Sequence, residues 1–364
     1  MQSAGWSVLN KSYFEDLIYG RKRSLFWGPL LLAGSWVYGA AIYVRHILFR
    51  FNVITRKELT CTVISVGNIT LGGTGKTPTV INIAALLKEN RKNPVVVSRG
   101  YGRKNETQTI VVSDGQSCLV DSKIGGDEPV LIGSKVPGVP VVVGQKRYEA
   151  AVEALHLFNA DVVILDDGFQ HIQLRRTLDL VLIDANDPFG NGLLFPAGIL
   201  REPLAALKRA HAVLITKIGR FEDVKRLHDI IGEKTRGKIF TSRMMPIDVV
   251  DCDGGESHPL SFLRGNTVLV CVGIARPESF VTLLTSLGAL VAAQCIYPDH
   301  HDFTTADLEE VYKKAVDNEV DVIITTEKDA VRLRHLEPRG IYALRIELSV
   351  NEREEWESFL LRKI

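Results

Sequence analysis

The sequence predicts an α/β protein: a doubly wound, mostly parallel sheet, joined to a second, smaller α/β domain and preceded by an apolar N-terminal helix. Three observations predict it. Short Val/Ile-rich runs alternate with helical stretches from Thr62 onward, as in βαβ units. A glycine-rich segment at 72–75 sits between the first such run and the first helical stretch. A second β/α series opens at Thr267, after an interval rich in charges and turn formers.

The 364 residues suffice for two domains and a sizeable core. Hydrophobic residues make up 46% and charged residues 24%, which excludes disorder over most of the chain. Forty-four Lys and Arg balance 43 Asp and Glu, for a net charge of +1. A general nucleic-acid binder would carry a basic excess, so no nucleic-acid partner is expected. Any anionic ligand must be met by local charge. The five cysteines, at 61, 118, 252, 271 and 295, form no CxxC pair. They read as buried small hydrophobes of a reducing compartment.

Residues 24–44 contain no charge, and Arg21, Lys22, Arg23, Arg45, Arg50, Arg56 and Lys57 flank them. The length matches the ~20 residues of a membrane span. Gly28, Pro29, Gly34 and Gly39 interrupt the run, and Trp27, Trp36, Tyr38 and Tyr43 suit the membrane–water interface. Basic residues on both sides set no orientation. The pattern favours a helix docked on the membrane surface and meeting anionic lipid, over a true span or a helix buried against the protein's own core.

The first series has strands at 62–66, 95–97, 110–112, 141–143, 162–165, 180–183 and 213–215, with helices near 77–90, 146–158 and 203–209. Continuous Val/Ile runs fit strands covered on both faces. Residues 220–237 are charged and helical, and 244–266 read as a linker or hinge. The second series has strands at 267–272, 289–296 and 320–325 and helices near 277–287 and 305–317. The resulting division is 1–58, an N-terminal membrane-associated helical segment; 59–219, a phosphate-loop core; 220–266, charged helix and hinge; and 267–364, the smaller C-terminal domain.

Gly72-Gly73-Thr74-Gly75-Lys76-Thr77 follows the first strand and enters a helix. Glycines let backbone amides crowd around phosphate oxygens, and the helix N-terminus favours anions. Lys76 would reach the β- and γ-phosphates of ATP, and the Thr77 hydroxyl would hold Mg²⁺. This makes the core a P-loop NTPase type. Thr70 stands where the strict motif has glycine, and Leu71 where partitioning ATPases of the GGxGKT class carry lysine. Four apolar residues, 162–165, end in Asp166 and Asp167. That places both carboxylates at the C-terminal edge of the sheet, where ligands bind. One would serve Mg²⁺ or its water. Adjacent strand residues point to opposite faces, so spacing does not rank them.

Phosphoryl transfer also needs a group to take the acceptor's proton and cations near the moving group. Candidates follow the strands. Asp127 and Glu128, in Gly125-Gly126-Asp127-Glu128-Pro129, start a helix, where Asp127 could equally be a cap. Ser98-Arg99-Gly100-Tyr101-Gly102-Arg103 offers cationic and aromatic contacts. Arg147 opens a helix, Arg201 and Glu202 precede another, and Gln170 and His171 follow the aspartate pair. Tyr297-Pro298-Asp299-His300-His301-Asp302-Phe303 mixes imidazole and carboxylate.

Together GNxxxGGTGKTP, SRGYGR, GGDEP, LDDGFQH, DPFGNG, LREP, YPDHHDF and TTEKDAVR, running from Gly67 to Arg332, resemble the tetraacyldisaccharide 4′-kinases, the lipid A 4′-kinases of Gram-negative bacteria. The resemblance implies transfer of the ATP γ-phosphate to the 4′-hydroxyl of a tetraacylated glucosamine disaccharide 1-phosphate, at the cytoplasmic face of the inner membrane, with no required protein partner. It implies that Gly72, Gly73, Thr74, Gly75, Lys76 and Thr77 bind nucleotide, that Thr77 and Asp166 serve the metal, and that Lys76 and Asp167 act at the reacting centre. Asp127 would stand near the acceptor hydroxyl and His300 would assist proton removal, with His301 as second choice. Arg147, Gln170, His171, Arg201 and Glu202 would meet the lipid's sugar or phosphate. Phe195 and Ile199 depart from the family's LLPAGPLREP pattern, and Ile199 is expected to loosen that loop. A hinge closure on nucleotide binding is expected to bring His300 toward Asp127. The competing class is a membrane-recruited P-loop ATPase switch, against which Leu71 argues.

Overall fold

A computed structural model describes residues 13, 16–22, 24–100, 103, 107–219, 221–253 and 255–364. Arg23 of the basic flank, Tyr101 and Gly102 of the 98–103 segment and Arg220 lie outside them. In chain order the first elements are α1 (Trp27–Arg50), β1 (Thr62–Asn68), α2 (Lys76–Glu89), β2 (Pro94–Ser98), β3 (Ile110–Ser113), α3 (Ser122–Gly125), α4 (Asp127–Lys135), β4 (Val141–Val143), α5 (Arg147–Phe158) and β5 (Val162–Asp166). Then come β6 (Leu178–Asp184), a 3₁₀ turn (Leu204–Arg209), β7 (Ala212–Thr216), α6 (Phe221–Gly232), β8 (Lys238–Asp251) and β9 (Ser257–Pro259). The last are β10 (Thr267–Val272), α7 (Pro277–Ser286), β11 (Leu290–Ile296), α8 (Thr305–Asp317), β12 (Val322–Thr326), α9 (Glu327–Leu333), β13 (Ile341–Val350) and α10 (Arg353–Leu361).

The chain packs as two compact units, neither of them contiguous. Unit 1 comprises Met1–Lys76, Val162–Arg243 and Val350–Ile364; unit 2 comprises Thr77–Asp161 and Met244–Ser349. The blocks expected at 59–219 and 267–364 are therefore each divided. The interval 244–266, expected to be a linker, is the second half of the 14-residue β8, then β9 and a 3₁₀ turn. Turn formers there mark the β8–β9 hairpin, whose strands pair antiparallel from Asp248 opposite Pro259 to Val250 opposite Ser257. The C-terminal residues join unit 1 because aromatic rings hold them: Phe240 packs 5.2 Å from Trp356 and 5.4 Å from Phe359.

In unit 1, strands β8, β7, β6, β1 and β5 lie in that order and run parallel. Every residue of β5, β6 and β7 is buried, which is why their sequences are unbroken apolar runs rather than alternating ones. β1 lies between β5 and β6, so the loops after β1 and β5 leave adjacent strands at the carboxyl edge, the position for ligands in such sheets. The 203–209 helix is present as a 3₁₀ turn.

Helix α1 packs by one stripe of small and polar residues. A Cβ on Gly34 would come within 3.2 Å of Pro196, and one on Gly39 within 2.9 Å of Leu194. Ser35, buried, donates to the Leu194 carbonyl (2.6 Å) and accepts from the Ala197 N–H (3.0 Å). Tyr38 Oη donates to the Arg201 carbonyl (3.0 Å). Leu30, Trp36, Val37, Tyr43 and Val44 are exposed on the other side. The helix is long and apolar enough to cross a membrane, yet only 6% of its most apolar window is buried.

In unit 2, β4 pairs with β2 in parallel and with β3 antiparallel. β10 pairs in parallel with β11 and β12, and β12 with β13. Helix α9 packs on α3 and α4. Cys252, Cys271 and Cys295 are buried and Cys61 and Cys118 half-buried, all five as free thiols. Burial pushes the Cys252 thiol up to about 12, the behaviour of a core hydrophobe rather than a nucleophile.

Candidate active site

The phosphate loop leaves β1 at Asn68. Gly72 (φ +101°) and Gly75 (φ +86°) adopt left-handed conformations that favour glycine. Leu71 N–H donates to the Ile199 carbonyl (2.7 Å), and Arg201 N–H to the Ile69 carbonyl (2.7 Å). Ile199 is buried and its side chain packs over Gly190. The expectation that Ile199 loosens its loop is therefore corrected: its apolar side chain anchors the segment and its carbonyl holds the phosphate loop. The Thr74 carbonyl accepts from Thr216 Oγ1 (2.8 Å). The Thr74 hydroxyl itself is buried with no protein partner. Lys217 Nζ donates to the Gly73 carbonyl and lies 2.7 Å from Asp184. Lys76 opens α2, where the chain passes from unit 1 to unit 2, and Thr77 follows in its first turn. A polyphosphate fits this loop: glycines open the backbone, an orphaned buried hydroxyl wants an acceptor, and lysines supply charge.

Asp166 and Asp167 part company at the end of β5. Asp166 completes the strand and is buried. Asp167 turns left-handed (φ +49°) and faces cations. Its carboxylate receives both contacts of Arg201 Nη1 (2.9 and 3.0 Å) and lies 3.7 Å from Lys76 Nζ. Gly168 is required beside it, since a Cβ there would sit 2.7 Å from Leu165 and 2.8 Å from Ser65. The segment thus places Lys76, Asp167 and Arg201 together in unit 1.

A second group in unit 1 centres on Glu202, only 3% exposed. It accepts from Arg209 (2.9 Å) and from Gln170 Nε2 (3.3 Å), and pairs with His46 of α1 (3.1 Å). Burial raises the Glu202 carboxyl, but His46 and Arg209 outweigh it and hold the group below its ordinary value. Gln170 Nε2 also donates to the Asn68 carbonyl (2.8 Å), and Arg45 to the Gln170 carbonyl. The Arg209 guanidinium lies 4.4 Å over the Phe169 ring. The His171 carbonyl accepts from Arg176 (2.8 Å).

Unit 2 holds its own cluster. Asp127 opens α4 after Gly126 (φ +89°). Its Oδ2 lies 3.0 Å from His300 Nδ1 and 2.7 Å from Arg332 Nε. His300, itself left-handed (φ +62°), has its Nε2 3.3 Å from Lys328 Nζ. Lys328 also pairs with Glu128 (3.0 Å). The tautomer with Nδ1–H toward Asp127 and the Nε2 lone pair toward the Lys328 ammonium satisfies both contacts. Burial raises the Asp127 carboxyl, but His300, Arg332 and Lys328 prevail and hold it below the usual carboxylate range. Arg332 spans to Asp329 (2.8 Å) and to the Gly273 carbonyl (2.9 Å). Burial pushes Asp329 up, against the opposing pull of Arg332.

The expectation that closure would bring His300 to Asp127 is corrected: 77–161 and 244–349 belong to one unit, and the two side chains are already bonded within it. His301 goes elsewhere. It stacks on Tyr297 (4.6 Å) and bonds Asp307 (3.1 Å) in the capping box of α8. Among the described residues no group of three or more His, Cys, Asp or Glu is placed to hold a metal ion. Arg147 heads α5 in unit 2. Of the 98–103 segment, Arg103 is buried and donates to the Gln108 carbonyl (2.5 Å). Sequence reasoning gave no role to Lys328, Arg332, His46, Arg209, Asp184 or Lys217. The signal for the first two was their i, i+4 spacing in TTEKDAVR, which puts them on one helix face.

The sequence matches the family model described as tetraacyldisaccharide-1-P 4′-kinase over residues 27–364. The tetraacyldisaccharide 4′-kinase of Syntrophus aciditrophicus (strain SB) is 38% identical, over 96% of this chain and 96% of its own. That of Anaeromyxobacter sp. (strain Fw109-5) is 40% identical, over 94% of each. The crystal structure of LpxK from Aquifex aeolicus in complex with ATP is similar at a TM-score of 0.76 and 31% identity, covering 93% of this chain and 99% of that one.

Proposed function

This chain belongs to the tetraacyldisaccharide-1-P 4′-kinase family, and from that premise we propose how its residues divide the work. It is an ATP-dependent kinase that transfers the γ-phosphoryl group to the 4′-hydroxyl of a tetraacyldisaccharide 1-phosphate in lipid A biosynthesis. The switch-ATPase reading is not favoured. In unit 1 the amides of Gly72, Gly73, Thr74 and Gly75 cradle the triphosphate, and Lys76 neutralises charge on the group in transit. Arg201 fixes Asp167 beside Lys76, so the ammonium stays oriented rather than collapsing onto a neighbouring carbonyl. The oxygens of Thr77 and Asp166 would hold Mg²⁺, which would supply positive charge against the phosphate oxygens. Gln170, His171, Arg201, Glu202 and, in unit 2, Arg147 meet the acceptor's sugar or phosphate.

Unit 2 supplies the proton acceptor. Asp127 takes the proton of the 4′-hydroxyl. A carboxylate held below its ordinary range is a weak base, but the transition state of phosphoryl transfer is loose, and the hydroxyl needs orientation more than early deprotonation. His300 keeps one Asp127 oxygen occupied through Nδ1–H and so aims the other. The Asp127–His300 contact at 3.0 Å is the observation that carries this assignment.

Helix α1 attaches the enzyme to its lipid. Contacts from Ser35 to Phe49 pin its inner stripe to unit 1 over about 20 Å at 1.5 Å per residue. A helix held along that length lies in the membrane surface with Leu30, Trp36, Val37 and Val44 in the acyl boundary. The cytoplasmic face of the inner membrane is where ATP and such a lipid meet. The test is phosphoryl transfer from γ-labelled ATP with Mg²⁺ to the tetraacylated disaccharide 1-phosphate in detergent micelles. Label should reach the lipid. Lys76→Ala and Asp127→Asn should each lower the rate by about 10²-fold or more. Turnover of ATP without labelled lipid would sink the reading.

A further inference from the structure

A cavity of about 860 Å³ lies between the C-terminal half of α1, the 52–58 segment and the 203–209 turn, wholly within unit 1. Its floor is apolar, with Ile42, Phe49 and Ala206. Four arginines line it, against two glutamates. Both glutamates are already spoken for: Glu58 by Arg175 and Glu202 by Arg209. Arg50 and Arg56 remain exposed, and no ion pair to a described residue engages either. An apolar floor under two uncompensated guanidinium groups fits an amphiphilic anion, a phosphomonoester carried on an acylated sugar. The wall leads there from the reacting group, because Glu202 in the wall adjoins Arg201, which holds Asp167.

We propose that this cavity is the subsite for the anomeric phosphate end of the acceptor disaccharide, with Arg50 and Arg56 as the groups that select for that phosphate. The inference rests on the kinase reading above: the acceptor bears its 1-phosphate at the end opposite the 4′-hydroxyl, so a site that seats one end must meet the other some distance away. Cationic residues at the end of a membrane-lying helix would otherwise be credited to anionic lipid, and the test separates the two sources.

Initial rates are measured in neutral detergent micelles with the acceptor disaccharide and with the same disaccharide lacking its anomeric phosphate. Wild-type enzyme should favour the phosphorylated acceptor about tenfold or more in kcat/KM, as charge-assisted contacts to one phosphate imply. In the Arg50→Gln/Arg56→Gln variant that ratio should fall to near one, through KM for the phosphorylated acceptor. The Arg50→Lys/Arg56→Lys variant, which keeps the charge, should retain most of it. A ratio unchanged in the glutamine variant overturns the inference. So does an equal loss on both acceptors, or a loss that shows only after anionic phospholipid is added, since each would assign the arginines to the micelle or the membrane. No transfer by the wild type to either acceptor would take down the kinase reading as well, and is told apart by that.

Discussion

Replacing Arg332 by Gln probes the Asp127 cluster most directly. Arg332 is 4% exposed and lies between two carboxylates, Asp127 at 2.7 Å and the fully buried Asp329 at 2.8 Å. Removing one member of a buried ion pair costs about 3–5 kcal/mol, because the remaining charge keeps its desolvation cost without its partner. The cost depends on pH with a definite sign. The Asp329 carboxyl is already raised in the folded state, and losing Arg332 raises it further. The folded state then binds a proton that the unfolded chain releases near pH 4. Stability of the variant therefore falls as pH rises from there through the folded value. Asp127, held low in the parent by His300, Arg332 and Lys328, contributes stability above about pH 4 that is lost as pH falls, and the variant forfeits the share that Arg332 supplies. The Asp329 effect makes the deficit larger at pH 8 than at pH 5, while the Asp127 effect is already complete above about pH 4 and fades only below it. Thermal unfolding at pH 8 should show a midpoint lower by about 10 °C, at roughly 2–4 °C per kcal/mol for a unit of this size. A deficit under 1 kcal/mol, or one equal at pH 5 and pH 8, would refute the picture of two carboxylates sharing one buried guanidinium.

Three further outcomes are expected. His300→Ala should lower kcat by about 10²-fold, whereas His301→Ala should leave kcat within about twofold and cost about 1–2 kcal/mol through the lost Tyr297 stack and Asp307 bond; equal kcat losses would remove His300 from its role of aiming Asp127. Lys217→Ala frees the Gly73 carbonyl and removes the ammonium 2.7 Å from the buried Asp184, so KM for ATP should rise about tenfold and the melting midpoint should drop, and an unaltered KM would remove Lys217 from the nucleotide site. The Trp36→Ser/Val37→Ser/Val44→Ser variant should bind lipid vesicles up to about 10³-fold more weakly, at about 1.5 kcal/mol per side chain withdrawn from the acyl boundary, without lowering the melting midpoint; unchanged cosedimentation would mean that α1's outer stripe does not enter the bilayer.

Much of this architecture is legible from residue pattern alone. Val162 to Leu165 could be read as a doubly covered strand because four apolar residues leave no polar face, and its closing carboxylates fell at the sheet's ligand edge for the same reason. The turns at Gly72 and Gly75 are legible as glycine positions because a positive φ is a local backbone property. What escaped was long-range. The Met244 to Asp251 stretch exposes alternate residues and so lacks the apolar run of a covered strand, which is why its sequence reads as linker. Lys328 and Arg332 acquire meaning only through Asp127, some two hundred positions away, a pairing no local pattern encodes. His300 and His301 were separable only once backbone conformation was known: the left-handed turn at His300 sends the two rings to different partners.

The interleaved chain path constrains how the molecule is made. The phosphate-loop unit takes residues Met1–Lys76, yet it also needs Val350–Ile364, and the unit carrying Asp127 needs Met244–Ser349. A ribosome delivers residues in order at about 5–20 per second, so unit 2 cannot close before Ser349 has emerged, nor unit 1 before the 350–364 segment. During that interval the strands of both units wait with their edges unpaired beside an apolar N-terminal helix. On the proposed docking of α1 at a membrane, early capture of that helix would shield the most aggregation-prone surface first and tether the growing chain at the bilayer.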